Sequence, residues 1–217
     1  SATNQIPILG TSVTDYASAL DIDDWNGATG TNISGTSDGV PAQAQAELLQ
    51  EVFADAKNVG LLYCSGEPNS KFQADEIRPI LEEMGYKVKD YTFADSNDVA
   101  QVTANACDDC DVLYIPTDNT AASNAELINN VCLEKKVPVV AGEEGLCSGC
   151  GCVTLSISYY DLGFVTGEMA AEILANGADV STMEIQYAPF TGEYNAVNCE
   201  LLGVTVPEGF EAIETEA

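Results

Sequence analysis

The chain has no histidine, and it has few basic residues. Only seven of its 217 residues are Lys or Arg, against 35 Asp and Glu, which gives a formal net charge of −28. Without histidine a Ser-His-Asp triad cannot be built, so the G-x-S-x-G pattern of Gly35-Thr36-Ser37-Asp38-Gly39 is interpreted as a loop. The acid excess argues against nucleic acid and anionic membrane surfaces as direct partners, because both require a basic face.

Long apolar runs and nucleotide-binding motifs are also missing. No segment reaches the roughly 18 consecutive apolar residues of a membrane span, and no signal peptide opens these residues. Neither G-x-G-x-x-G nor G-x-x-x-x-G-K-[ST] occurs, so dinucleotide and P-loop functions lack support. The first apolar strand begins almost at once, at Ile6. We therefore expect this chain to be the later part of a longer protein.

Eight cysteines are present, too few for a disulfide-stapled miniature fold. If the protein is exported, the short-loop candidates for disulfides are Cys107 with Cys110 and two of Cys147, Cys150 and Cys152. The same C-x-x-C spacing would suit zinc or an iron–sulfur cluster in a cytosolic protein. Reduced thiols packed in a core are the third interpretation, and the sequence leaves the three open.

Apolar strands alternate with amphipathic helices along most of the chain. This order predicts an α/β fold, a three-layer α-β-α arrangement around a parallel sheet. Strands are expected at 6–9, 31–34, 59–64, 87–93, 112–116, 138–141, 153–158 and 183–187. Helices are expected from Pro41, from an N-cap at Ser70, and over 97–107, 121–135, 161–176 and 196–202, with a solvated loop at 142–145. The predicted domains are 1–57 as part of a first lobe, 58–185 as a complete second lobe, and 186–217 as a return segment with an acidic tail.

Polar residues follow two of the expected buried strands, and small ligands in open α/β sheets lie just past such strand ends. Ser65, Glu67, Asn69 and Ser70 follow the strand at 59–64, and Asp118 with Asn119 follows the strand at 112–116. A helix N-terminus at Ser70 favours a carboxylate, and an ionised Asp118 favours an ammonium group. The pair predicts a site for a free amino acid, although Ser70, Asp118 and Asn119 would also serve as helix caps alone.

Several separated motifs resemble the TrpX-like family of substrate-binding proteins of ABC transporters. They are Ile6-Pro-Ile, Val13-Thr14-Asp15, the stretch 27–35, Val59-Gly-Leu-Leu-Tyr63, Glu67-Pro-Asn69-Ser70, Tyr114-Ile-Pro-Thr-Asp118-Asn119, Pro138-Val-Val and Tyr159-Tyr160-Asp161-Leu-Gly163. The resemblance implies a type I periplasmic-binding-protein fold, with two α/β lobes joined by a hinge. It also implies uptake of amino acids, often aromatic ones, and about half a lobe preceding Ile6.

The resemblance further implies a set of ligand-binding residues in the cleft between the lobes. They are Thr14 and Asp15 from the first lobe, Ser65, Glu67, Asn69 and Ser70 from the second, Asp118 and Asn119 facing these, and Tyr159 and Asp161 at a further strand end. The expected protein is an exported, lipid-anchored receptor that hands an amino acid or similar zwitterion to ABC permease subunits. It would need no cofactor and perform no catalysis. The rival is a cytosolic metal- or redox-active protein that uses its C-x-x-C pairs.

Overall fold

The structure is a computed structural model that describes residues 3–214. Strands and helices alternate along this part of the chain. The strands are β1 (Ile8–Gly10), β2 (Ile33–Ser37), β3 (Asn58–Cys64), β4 (Lys87–Phe93), β5 (Val112–Ile115), β6 (Val139–Ala141), β7 (Val153–Ile157), β8 (Gln186–Tyr187), β9 (Phe190–Tyr194) and β10 (Glu211–Ala212). The helices are α1 (Tyr16–Leu20), α2 (Ala42–Val52), α3 (Pro68–Glu83), α4 (Val99–Asp109), α5 (Asn119–Ser123), α6 (Ala125–Lys135), α7 (Glu144–Gly149), α8 (Tyr159–Asn176) and α9 (Ala196–Leu202). None of the helices within residues 3–214 is both long enough and apolar enough to cross a bilayer.

The chain divides into two compact units, each made of two stretches. Unit 1 comprises 1–39 and 157–190, and unit 2 comprises 40–156 and 191–217. These boundaries differ from the expected 1–57, 58–185 and 186–217. The reason is long-range packing: α8 packs on β1 and β2, which places it in unit 1, whereas α2 packs on α3 in unit 2.

Unit 1 contains a three-stranded sheet in the order β1-β2-β8, with both neighbouring pairs parallel. β1 and β2 approach so closely that Gly35, at φ +145°, lies opposite Gly10, and a Cβ at Gly35 would lie 2.0 Å from the Gly10 carbonyl oxygen. Helix α1 was not predicted; Asp15 caps it by accepting a hydrogen bond from the Ser18 N–H at 3.1 Å. The expected strand at 183–187 is reduced to the two residues of β8, and Glu184 before them pairs with Ala28 in an isolated antiparallel bridge.

Unit 2 contains a seven-stranded sheet in the order β10-β9-β7-β6-β5-β3-β4. Strands β3 and β5, neither of them at an edge of this sheet, are largely apolar and buried on both faces, as in other parallel sheets covered by helices. One face packs against α4, α6 and α7 through Ala106, Ile128 and Leu146. The other packs against α2 and α3 through Leu49 and Ile77. The predicted three-layer α/β architecture is therefore confirmed.

Three local predictions in unit 2 were wrong. The expected helix over 121–135 is two helices, separated at Asn124, whose side-chain amide donates to the Thr120 carbonyl at 2.7 Å. The expected loop at 142–145 instead opens α7, because the Glu143 carboxylate caps it by accepting from the Gly145 N–H at 2.7 Å. Ser70 is not an N-cap, because α3 already begins at Pro68.

The sequence analysis did not predict strand β9. The last residues of the expected acidic tail, 215–217, lie outside the described residues.

All eight cysteines are buried, and none is joined to another in a disulfide. The expected pairing of Cys107 with Cys110 is not formed, because the Cys107 sulfur faces α6 and lies 3.8 Å from the Cys132 sulfur. The Cys199 thiol donates instead to the Cys152 carbonyl at 3.2 Å, so Cys152 is next to α9 rather than joined to Cys147 or Cys150. Burial raises the pKa of Cys150 to about 12, so this thiol stays protonated near neutral pH.

Candidate functional site

Glu67 joins the loops that follow β3 and β5 at the carboxyl edge of the unit 2 sheet. One carboxylate oxygen accepts from the Thr120 N–H at 2.7 Å and the Thr120 hydroxyl at 2.6 Å. The other accepts from the Asn119 N–H at 2.9 Å and its side-chain amide at 3.0 Å. Burial acts to raise the pKa of Glu67, but these four hydrogen bonds outweigh it and hold the pKa below its usual range. Glu67 and Asn119, both predicted to bind ligand, thus bind each other.

Asp118 is 1% exposed and its two carboxylate oxygens both have backbone partners. Oδ1 caps α5 by accepting from the Ala121 N–H at 2.7 Å, and Oδ2 accepts from the Cys64 N–H at 2.7 Å. Burial raises the pKa of Asp118, while these bonds act against the rise. The carboxylate therefore fastens the end of β3 to the start of α5. This is a different set of partners from the ammonium group expected from the sequence.

The first turn of α3 is bound to the loop that follows β5 through Thr117. The Thr117 carbonyl accepts from the Ser70 hydroxyl at 2.9 Å and the Asn69 amide at 3.0 Å, and the Thr117 N–H donates to Gln73 Oε1 at 2.7 Å. Ser65 is exposed, and its hydroxyl donates to the Phe93 carbonyl at 3.2 Å. Sequence reasoning missed Thr117 and Gln73. The signal that would have found Gln73 is its position four residues after Asn69, on the same face of α3.

A second group of polar side chains lies at the carboxyl edge of unit 1. Because its three strands are parallel, their carboxyl ends meet at one edge of the sheet. Asp38 follows β2 directly there, and Thr14 lies beside it, since the Ser37 hydroxyl donates to the Thr14 carbonyl at 3.3 Å. The Tyr159 hydroxyl approaches Asp38 Oδ2 to 3.5 Å. The structure thus brings together Thr14 and Tyr159, both predicted, around Asp38, which was not.

Asp38 is the carboxylate with the most unusual surroundings at this edge. Its Oδ1 atom is buried and has no hydrogen-bond partner among residues 3–214. Burial raises the pKa of Asp38, and side-chain hydrogen bonds with Thr14 and Tyr159 offset part of the rise. Burial first, and then the charges of Asp38 and Tyr187, raise the pKa of the neighbouring Tyr16 to about 12. A desolvated carboxylate beside tyrosines is suited to holding a cation.

The remaining predicted residues of unit 1 have other surroundings. Asp15 caps α1 through one oxygen, and its other oxygen is buried without a partner in the described part of the chain. Asp161 is exposed in the first turn of α8, where its N–H donates to the Ser158 hydroxyl at 3.2 Å. Tyr160 is 82% exposed, whereas Tyr159 is 45% exposed. Tyr159 is therefore the predicted aromatic residue that the structure places against Asp38.

A family model described as ABC transporter substrate binding protein matches residues 1–215. The chain belongs to this family. Its members are binding proteins, and those of ABC systems act in the periplasm or at the cell surface. A relative, the tyrosine-binding protein of Clostridioides difficile strain R20291, is 35% identical over 173 residues, which cover 80% of this chain. The chain spans half of that relative's length.

Solved structures with the same fold include one with a bound ligand and one without. The ABC domain of Streptococcus pneumonia in complex with L-Trp matches 98% of this chain and 73% of its own, at TM-score 0.86 and 28% identity. A ligand-free, open substrate-binding protein with adhesive properties from Clostridium difficile matches 99% of this chain and 73% of its own, at TM-score 0.80 and 36% identity. The predicted fold, that of a type I periplasmic-binding protein, is confirmed.

Proposed function

We propose that this protein is the solute receptor of an ABC importer and that it binds an amino acid with an aromatic or other hydrophobic side chain. The observation that carries the proposal is the meeting of a carboxylate, a hydroxyl and tyrosines at the carboxyl edge of unit 1. An aromatic amino acid presents an ammonium group and a flat apolar ring. A buried carboxylate suits the first, and tyrosine rings suit the second.

The family relatives support the same class of ligand. The name of the Clostridioides difficile relative states that it binds tyrosine, and the Streptococcus pneumonia domain was solved with L-Trp. The rival interpretation, metal or redox chemistry at the C-x-x-C pairs, gains no support from these relatives. All eight thiols are also buried. The receptor role is therefore favoured.

The roles of the predicted site residues differ between the two units. In unit 1 we assign ligand contacts to Thr14 and Tyr159, which adjoin Asp38. In unit 2 the hydrogen bonds of Glu67 and Asp118 indicate that they shape the loops. Ligand contact by the other predicted residues stays a prediction; they are Asp15, Ser65, Asn69, Ser70, Asn119 and Asp161.

The transport role follows from family membership. We infer that the protein performs no chemistry on its ligand and delivers it to permease subunits. The ligand makes more favourable contacts with one conformation of the receptor and so raises the population of that conformation. Export and an attached lipid would keep such a receptor next to its transporter. Lipid attachment is tested by metabolic labelling with an alkyne fatty acid in the native organism, and an unlabelled protein would exclude it.

The ligand class is tested by mass spectrometry of small molecules released from the protein after purification under native conditions. An aromatic amino acid is expected, and calorimetric titration with L-tyrosine, L-tryptophan, L-leucine and L-glutamate then ranks the side chains. Tight binding of a sugar or peptide with no amino-acid binding would contradict the proposal. If no amino acid binds, the titration is repeated with the full-length gene product.

A further inference from the structure

Unit 1 has no cationic side chain. All seven Lys and Arg residues lie between 57 and 136, within unit 2. Five Asp or Glu residues lie in 1–39 and five more in 157–190, and neither stretch contains Lys, Arg or His. Water can solvate an exposed carboxylate such as Asp23. A buried one has no counter-charge available from its own unit.

The absence of a cationic side chain from unit 1 matters most for Asp38. Its Oδ2 atom has the Tyr159 hydroxyl at 3.5 Å, but Oδ1 is buried with no partner among the described residues. Buried charges in proteins are normally paired, because an unpaired one loses its hydration without compensation. The structure thus holds a partly buried carboxylate that is bonded to Thr14 and Tyr159 and whose Oδ1 can still accept a hydrogen bond.

We propose that Asp38 binds the ammonium group of the ligand, with Tyr159 beside it. The inference rests on the proposed function, and it moves the ammonium-binding role from Asp118 to a different unit of the protein. Asp118 has backbone N–H partners on both oxygens and is 1% exposed, so it has little capacity for another donor. Asp38 can accept a further hydrogen bond through Oδ1, which has no partner among the described residues.

The surroundings of Asp38 add aromatic character to the acceptor. Tyr16 is 4% exposed, and its hydroxyl donates to the Thr36 carbonyl at 3.2 Å rather than to Asp38. Tyr187, at the end of β8, is 57% exposed. A cation held at a carboxylate near tyrosine rings gains both charge pairing and cation–π attraction. The chemistry selects a primary ammonium group over neutral and anionic ligands.

Asp15 also has a buried oxygen without a partner among residues 3–214, but it differs from Asp38 in its other oxygen. That oxygen caps α1, so changing Asp15 would also disturb the helix. Asp38 has no such capping role, which makes it the cleaner residue to test. Asp23, exposed and in the same unit, provides a matched control in which the same charge is lost.

The experiment titrates the wild-type protein, Asp38→Asn and Asp23→Asn with three probes. L-Tyrosine carries both charged groups, tyramine lacks the carboxylate, and 3-(4-hydroxyphenyl)propionate lacks the amine. Asp38→Asn should weaken L-tyrosine binding by about ten- to a hundredfold, the loss typical of one charge-assisted hydrogen bond. It should also reduce the preference for L-tyrosine over the amine-free probe by a similar factor. Asp23→Asn should bind all three as wild type does.

The outcomes separate this inference from the proposed function. If the wild-type complete protein binds L-tyrosine and Asp38→Asn binds it equally well, the assignment of Asp38 is overturned and the receptor role stands. If the wild type binds no amino acid, the proposed function fails first. Circular dichroism and thermal melting confirm folding. If Asp38→Asn does not fold, Asp38→Ser takes its place, with the same selectivity between the probes as the deciding measurement.

Discussion

The sulfur atoms of Cys107 and Cys132 lie 3.8 Å apart, on α4 and α6. The thiol of Cys110, the partner expected for Cys107 from the C-x-x-C spacing, instead lies 3.6 Å from the Tyr91 hydroxyl. The hydrogen bond from Cys132 lowers the pKa of Cys107, and the same bond together with burial raises the pKa of Cys132. Cys107 is therefore the thiol of the pair that ionises first.

We expect oxidation to join Cys107 to Cys132. With oxidised glutathione as the oxidant, two thiols lose two protons and two electrons while the glutathione disulfide is reduced to two thiols. The new bond would span 25 positions and stabilise the fold by about 3.5 kcal/mol on the chain-entropy estimate. Peptide mapping of the non-reduced protein should find the 107–132 link, and Cys110→Ser should leave it unchanged. A 107–110 link would contradict the expectation.

Glu67→Gln should lower the stability of unit 2 at neutral pH. The carboxylate accepts four hydrogen bonds from Asn119 and Thr120. In Gln an NH₂ group replaces one of the two oxygens and cannot accept its bonds, so the free energy of unfolding should fall by about 1–3 kcal/mol. Chemical denaturation of the variant, with Glu76→Gln on the exposed face of α3 as control, measures the difference. A variant as stable as the control would mean that these bonds contribute little.

The stabilisation by Glu67 should depend on pH in a defined direction. Because the folded-state pKa of Glu67 lies below its unfolded value, the contribution is complete above the unfolded pKa and is lost as the pH falls through the folded pKa. The gap between wild type and Glu67→Gln should therefore narrow in acid. Denaturation curves at neutral pH and at about pH 3 test this, with the ordinary Glu pKa near 4.3 as the reference.

Asp118→Asn should affect folding more than binding. In the Asn side chain an NH₂ group replaces one carboxylate oxygen and would face the backbone N–H of Cys64 or Ala121, which is itself a donor. A buried donor that has no acceptor costs about 1–3 kcal/mol. The melting temperature should fall, while the affinity for L-tyrosine of the folded fraction should stay within a few-fold of wild type. A large loss of affinity without loss of stability would return the ammonium group to Asp118.

Gly35→Ala should disrupt the pairing of β1 with β2. The new methyl group would overlap the Gly10 carbonyl oxygen in a backbone conformation that side chains rarely adopt, so a loss of at least about 3 kcal/mol is expected. Gly163→Ala on exposed α8, where a Cβ meets nothing within 4 Å, is the matched control and should stabilise by about 0.5–1 kcal/mol. Thermal melting compares them, and equal melting temperatures would contradict the close approach.

Strands and helices that are determined by the pattern of apolar residues within a short stretch were predictable from the sequence. Strand β4 and helix α9 have the predicted bounds, and β3 and β5 differ by a single residue, because buried parallel strands are short apolar runs. The unit boundaries were not predictable in this way. Whether α8 packs on β1 and β2 or on the unit 2 sheet depends on contacts between residues far apart in the chain, and its amphipathic pattern is the same in both cases.

The candidate site was predicted in part, for a similar reason. The family resemblance implied both Thr14 and Tyr159, and the rule that ligands lie past parallel strand ends was applied only to the two strands of unit 2. Asp38 also follows a strand, but the pattern around Ser37 drew attention to a nucleophile instead. What distinguishes Asp38 is a buried, unpartnered oxygen and a tyrosine 121 positions away, and neither can be read from its neighbours in the chain.

The confinement of lysine to unit 2 has a practical consequence for chemical labelling. Reagents that acylate amines, such as succinimidyl ester dyes, find no side-chain target in 3–39 or 157–190, and trypsin has no cleavage site there. A fluorophore on a lysine therefore reports from unit 2 and leaves the side chains around Asp38 unmodified. Surface immobilisation through lysine would likewise leave this carboxylate free of covalent attachment.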